Sequence, residues 1–184
     1  DYPDQKWEVK DAMNLDPGQR YDIVFSNATL QWIPNHTTLI PRLFSLVKQN
    51  GVLAIQMPAN NEAFFYKIMI ETGNNDRWGR FTSGSQEQLT FHSPEYYYDI
   101  LCSLTPSIDL WVTTYYHVMN SHRDITEWHK STGMKPFLEK LPDDRHRSEF
   151  EAEIINKCRE AYPVRKDGKV LYPFKRVFFI AGKV

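Results

Sequence analysis

Between residues 21 and 36 the chain reads YDIVFSNATLQWIPNH, and three of those side chains have the chemistry to hold a ligand: Asn27, Gln31 and Trp32. Each amide offers donors and an acceptor, and the indole offers a flat apolar wall with one N–H. This is equipment for binding and alignment. The equal alternative is a polar strand-to-helix connection whose Trp32 only covers a sheet. Tyr115, Tyr116 and His117 stand at the far end of the run LWVTTYYHVM, where they either line a site or fill a core. His36, His92, His117, His122, His129 and His146 show no ligand spacing with cysteines or paired carboxylates, so no metal site is expected. No Ser-His-Asp arrangement can be argued from the chain.

The elements that must position these side chains follow from periodicity. Residues 21–25 are β-branched and aromatic, read as a buried parallel strand, and end in the small residues Ser26, Asn27 and Ala28. In an open α/β sheet, ligands bind beyond the carboxyl ends of strands, which puts Asn27, Gln31 and Trp32 at a pocket mouth. Thr38 reads as the cap of a helix with Pro41 in its first turn, and Gly51 as the residue that stops it. Residues 52–57, VLAIQM, form the next buried strand, which completes a right-handed βαβ unit. A short strand is expected at 7–9, and a helix at 62–72. Residues 73–89 read as a mobile loop or lid. Ser93-Pro94-Glu95 opens a helix, Ser121 to Asp124 resembles a capping box, and Asp143 opens a longer helix stopped by Pro163. Strands are expected at 110–119 and 175–181.

The chain has 184 residues, enough for one domain with an ordinary core, and a net charge of −1. Its Lys and Arg residues are dispersed, which excludes an electrostatic footprint for nucleic acid. The longest apolar runs fall far short of the roughly 20 residues of a membrane helix. No membrane span or signal peptide is read, and Cys102 and Cys158, each in an apolar helical pattern, are expected to be free core thiols of a cytoplasmic protein. The chain opens at Asp1 without a methionine, which raises the expectation of a segment upstream.

Taken in order, YDIVFSNATLQWIPNH, GVLAIQMP, DLWVTTYYHVMNSH and TGMKPFL resemble the trans-aconitate methyltransferases, a branch of the class I S-adenosylmethionine-dependent methyltransferases. The resemblance runs through nearly all of the chain. It implies an α/β fold, an incomplete Rossmann-like sheet with a helical cap over the acceptor site, in a single methyltransferase domain spanning 1–184. Residues 59–109 and 121–162 would supply cap and lid helices. The family sheet has order 3-2-1-4-5-7-6, and the strands named above correspond to its third to seventh. The family's Gly-rich first motif, and the acid that holds the ribose, have no counterpart; no G-x-G occurs. Without the first and second strands the sheet would be left with a gap of about 14 Å. The fourth strand would then present a naked edge open to self-association. On this reading the chain binds the donor weakly or not at all.

The resemblance also implies residue roles. Asp11 would accept from the adenine amino group. Asn27, Ala28 and Gln31 would hold the methionine part of S-adenosylmethionine. Trp32, Tyr115, Tyr116, His117, His122, Lys135 and Arg176 would surround the acceptor. In an alternating strand Tyr115 and His117 face one side and Tyr116 the other, so at least one tyrosine is expected in the core. No catalytic nucleophile is expected, because a carboxylate acceptor is already ionised. The implied reaction is methyl transfer to a carboxylate of a small polycarboxylic acid, trans-aconitate first, giving a monomethyl ester. The alternatives are a malonyl-carrier-type carboxyl methyltransferase, for which only Arg145-His146-Arg147 suggests a basic docking patch, and a non-catalytic fragment that self-associates.

Overall fold

The computed structural model describes residues 4–16, 18–59, 62–88 and 90–184. Four strands form one continuous sheet, β1 (Tyr21–Asn27), β2 (Val47–Pro58), β3 (Ser107–Met119) and β4 (Val170–Gly182), in the order β1-β2-β4-β3. β1 and β2 are parallel, and β4 runs antiparallel to both of its neighbours. This matches the 4-5-7-6 half of the expected sheet.

Seven helices are described: α1 (His36–Ser45), α2 (Phe64–Gly73), α3 (Gly79–Thr82), α4 (Pro94–Cys102), α5 (His122–Lys130), α6 (Lys135–Leu138) and α7 (Asp144–Ala161). Two caps follow the sequence reading: Ser93 accepts from the Tyr96 N–H, and Asp143 from the His146 N–H. Asp124 accepts from both the Asn120 N–H and the Ser121 hydroxyl, which fixes the entry to α5.

The alternation of strand residues creates two cores. On one face Leu53, Ile55 and Met57 of β2 and Val177, Phe179 and Ala181 of β4 pack against α1 and α4. On the other face Val170, Tyr172 and Phe174 of β4 are covered by α2, α5 and α7. Beyond Arg176 that second face has no helical cover among the described residues. Phe25 is 69% exposed there and Ile23 64%. Among the described residues β1 is the outermost strand and its outer edge is unpaired.

Several expectations are corrected. Residues 7–9 form no strand, and none of the described residues pairs with them in a ladder; Trp7 and Val9 are exposed. The described sheet is therefore continuous and has no gap. The first helix starts at His36, behind Asn35 rather than Thr38, and Pro41 falls in its second turn. Gly51 lies inside β2, not at a helix end. Residues 73–88 are not an open loop: Trp78, Thr82 and Ser85 are buried, and Asn75 caps the turn into α3 by accepting from the Arg77 and Trp78 N–H groups. Leu89 lies outside the described residues. Cys158 is buried as expected, but Cys102 is exposed.

Candidate functional site

At the end of β1 the ladder continues one step, with the Ala28 N–H donating to the Gln56 carbonyl at 2.9 Å. Ala28 then turns into the left-handed region at φ 53°, unusual for a residue with a Cβ. The turn aims its carbonyl at Gln31, whose Nε2 donates to it at 2.8 Å. With Nε2 committed, Gln31 Oε1 is left buried and without a partner among the described residues.

This turn is held from below by His36. Its Nδ1 lies 2.8 Å from the Tyr97 hydroxyl and its Nε2 3.0 Å from the Leu30 carbonyl. Burial lowers its proton affinity, so the neutral ring donates through Nε2 to Leu30 and accepts from Tyr97. The loop that carries Gln31 and Trp32 is thereby fixed to the sheet by a group that stays uncharged.

Over the carboxyl ends of β1 and β2 lies a cavity of about 190 Å³. Gln31 and Trp32 form one wall, Phe65 and Tyr66 of α2 another, Trp128 and His129 of α5 a third, and Tyr172, Phe174 and Arg176 of β4 the floor. Its charge state is simple. Desolvation takes the buried His129 down to about 4, and its Nε2 lies 2.7 Å from the Tyr172 hydroxyl. Desolvation also pushes the Tyr66 phenol up to about 12. Arg176 is therefore the one charged side chain among the described lining residues.

Arg176 also lines a second, open groove of about 640 Å³ on the uncovered sheet face, together with Asn27, Gln56, Tyr115 and His117. Its Nη1 donates to Gln56 Oε1 at 3.0 Å, and its guanidinium lies 4.9 Å from the Phe174 ring centroid. Neither cavity is lined by an Asp or Glu among the described residues. A guanidinium held by an amide and aromatic faces, with no acid beside it, is equipped to receive an anion.

The structure brings Asn27, Ala28, Gln31, Trp32, Tyr115, His117 and Arg176 to these two cavities. It does not bring the others. The Asp11 carboxylate caps a short turn, accepting from the Met13 N–H and the Asn14 side chain. Tyr116 points to the other side of β3 and is 66% exposed; Tyr115 is exposed too, so neither tyrosine is core. His122 Nε2 donates to the Tyr162 carbonyl under α7. Lys135 is a surface residue 3.7 Å from Glu139. Gln56, Tyr66, Trp128 and His129 are lining residues that the sequence reading passed over. Gln56 had a signal, as the one polar side chain in VLAIQM; the others look like ordinary members of apolar helix faces. Among the described residues no group of acids, histidines and cysteines could hold a metal ion, and no helix is long and apolar enough to cross a membrane.

No protein-family model matches the chain. A trans-aconitate 2-methyltransferase of Variovorax paradoxus is 39% identical over 183 residues, which are 98% of this chain and 70% of that protein. The enzyme of the same name from an Azoarcus strain is 37% identical over 182 residues, 97% of this chain and 70% of its own. Among solved structures, a Bacillus halodurans protein described as a methyltransferase superposes with a TM-score of 0.51 at 14% identity, covering 95% of this chain and 69% of its own. The YcgJ protein of Bacillus subtilis also gives 0.51, at 9% identity, covering 94% and 68%. These structures share the Rossmann-like methyltransferase fold.

Proposed function

Because the chain belongs to the trans-aconitate 2-methyltransferase family, we propose that it transfers a methyl group from S-adenosylmethionine to one carboxylate of a small polycarboxylic acid, trans-aconitate first, giving a monomethyl ester. The observation that carries this reading is Arg176: one guanidinium, with no Asp or Glu among the described residues that line its two cavities, at an aromatic cavity beyond the carboxyl ends of parallel strands.

S-adenosylmethionine supplies a methyl group on a sulfonium, whose sulfur leaves as a neutral thioether. The residues present fit such a donor at the β1 end. Gln31 Oε1 is a buried acceptor in need of a hydrogen-bond donor, which the amino group of the methionine part would provide; Ala28 lines the same cavity and Asn27 the second groove. The acceptor carboxylate is ionised at neutral pH and needs no base. Its oxygen lone pair forms the new O–CH3 bond as the S–CH3 bond breaks. The protein's work is to align the acceptor and exclude water. Arg176 fixes the carboxylate, while Trp32, Phe65 and Trp128 enclose the cavity. His129 and Tyr66, both uncharged at neutral pH, add no competing ion.

A carrier-linked acceptor is less well supported. In Arg145-His146-Arg147 each basic side chain has a carboxylate partner nearby in sequence: Arg145 has Glu149, His146 has Asp143 and Arg147 has Asp144. Little net positive charge remains to meet an acidic carrier. The test is mass spectrometry of the purified protein incubated with either free trans-aconitate or malonyl-carrier and a large excess of donor, which offsets the weak donor binding expected of a chain without the Gly-rich motif. The expected product is the acid heavier by one methylene unit. An ester formed only on the carrier would overturn the assignment.

A further inference from the structure

Three buried polar atoms without partners lie around the two cavities, and two of them flank Arg176 in the groove: Gln56 Nε2 and His117 Nε2. Gln56 is 5% exposed. Because its Oε1 accepts from Arg176, the orientation of its amide is set and the nitrogen remains an unused donor. His117 stands on β3 across the same groove, its ring edge-on to Trp128 at 4.2 Å between centroids. Burial and the neighbouring guanidinium both lower its proton affinity, so at neutral pH it is an uncharged ring able to donate from Nε2. Buried donors without partners destabilise a fold unless something outside the chain meets them.

We propose that Gln56 and His117 are the second and third hydrogen-bonding partners of the carboxylate that Arg176 anchors. The three side chains come from three adjacent strands, β2, β3 and β4, and converge where the helical cover ends. The cradle carries one fixed charge and two neutral donors. It therefore recognises a single carboxylate by geometry, and leaves the remaining carboxylates of a polyacid to be accommodated elsewhere. This inference rests on the reading of Arg176 as the anchor and adds residues to it.

The experiment is calorimetric titration of the full chain with trans-aconitate, without donor, alongside thermal unfolding of each ligand-free variant. Arg176→Gln tests the anchor. If it abolishes binding seen in the wild type, the anchor stands. Gln56→Leu and His117→Phe should then each weaken binding by roughly 10-fold. His117→Phe should leave the unfolding temperature unchanged or raised, since it removes an unsatisfied buried atom, and Gln56→Leu should leave it no lower than that of Arg176→Gln, which loses the same Gln56–Arg176 hydrogen bond. Gln56→Glu should abolish binding in a folded protein by neutralising Arg176 internally. Wild-type affinity in Gln56→Leu and His117→Phe would overturn the cradle and spare the anchor. Weakened binding in step with an unfolding temperature that falls below these limits would assign them a structural role and overturn it as well. No binding by the wild type, or binding indifferent to Arg176→Gln, would remove the anchor and this inference with it.

Discussion

Arg176 shows how a residue's role depends on what surrounds it. From FKR in the sequence it reads equally as a solvated strand arginine or as one turned towards a cap. The structure supplies the difference: Gln56 at 3.0 Å, aromatic faces on either side, and no carboxylate among the described lining residues. Arg176→Lys keeps the charge and loses the planar fork, so trans-aconitate affinity should fall on the order of 10-fold, read by calorimetry. An unchanged affinity would mean that only net charge matters at this position. That Asn27, Gln31 and Trp32 line cavities was legible, because strand ends in α/β sheets open onto clefts. Tyr66 and His129 were not, because a helix face that lines a cavity has the same spacing as one that packs on a core.

At the scale of elements, the four strands and the two clear helix starts were legible from alternation and capping. The misreadings share a cause: a side chain's partner lay far away in sequence. Gly51 is the sharpest case. Read locally, it ends a helix. In the sheet, the register jumps from Tyr21 opposite Val47 to Ile23 opposite Val52, so β2 bulges past β1, with Asn50 at φ 62°. At Gly51 a Cβ would stand 2.6 Å from the Asp22 carbonyl oxygen. Gly51→Ala must push β1 and β2 apart at the strand that leads into the ligand loop. It should lower stability by about 1–3 kcal/mol, read as a shifted urea midpoint. Trp7 and Val9 failed in the opposite direction: β-forming residues with no strand to join stay exposed.

At the scale of the whole molecule, the buried histidines make a common prediction. His129 takes up its proton near 4 in the folded chain and near 6.5 when unfolded, and His36 is shifted in the same direction. Above 6.5 neither state is protonated and the native stability is intact. Between about 6.5 and 4 the unfolded state gains protons that the folded state refuses, so stability falls with pH, by of order 3 kcal/mol from His129 alone. Urea unfolding at pH 7 and pH 5 should show a lower midpoint in acid, and His129→Phe should flatten that difference.

β4 joins the two cores. Its first half, with Tyr172 and Phe174, belongs to the helices over the cavity, and its second half, with Val177 and Phe179, belongs to the sheet. β2 pairs with it as far as Pro58 opposite Arg176, and the Ala59 N–H carries the ladder one step on to the Lys175 carbonyl; beyond that, β3 is the one strand beside β4 among the described residues, and Pro173 sits in that stretch. The molecule therefore has a four-stranded plate and a narrower two-stranded arm that carries Tyr172 and Phe174 of the cavity floor, with Arg176 at the joint. Flexing of the arm would widen the entrance while the anchor stays fixed to the plate. Admission of a ligand would then depend on the arm, and the grip upon it on the plate.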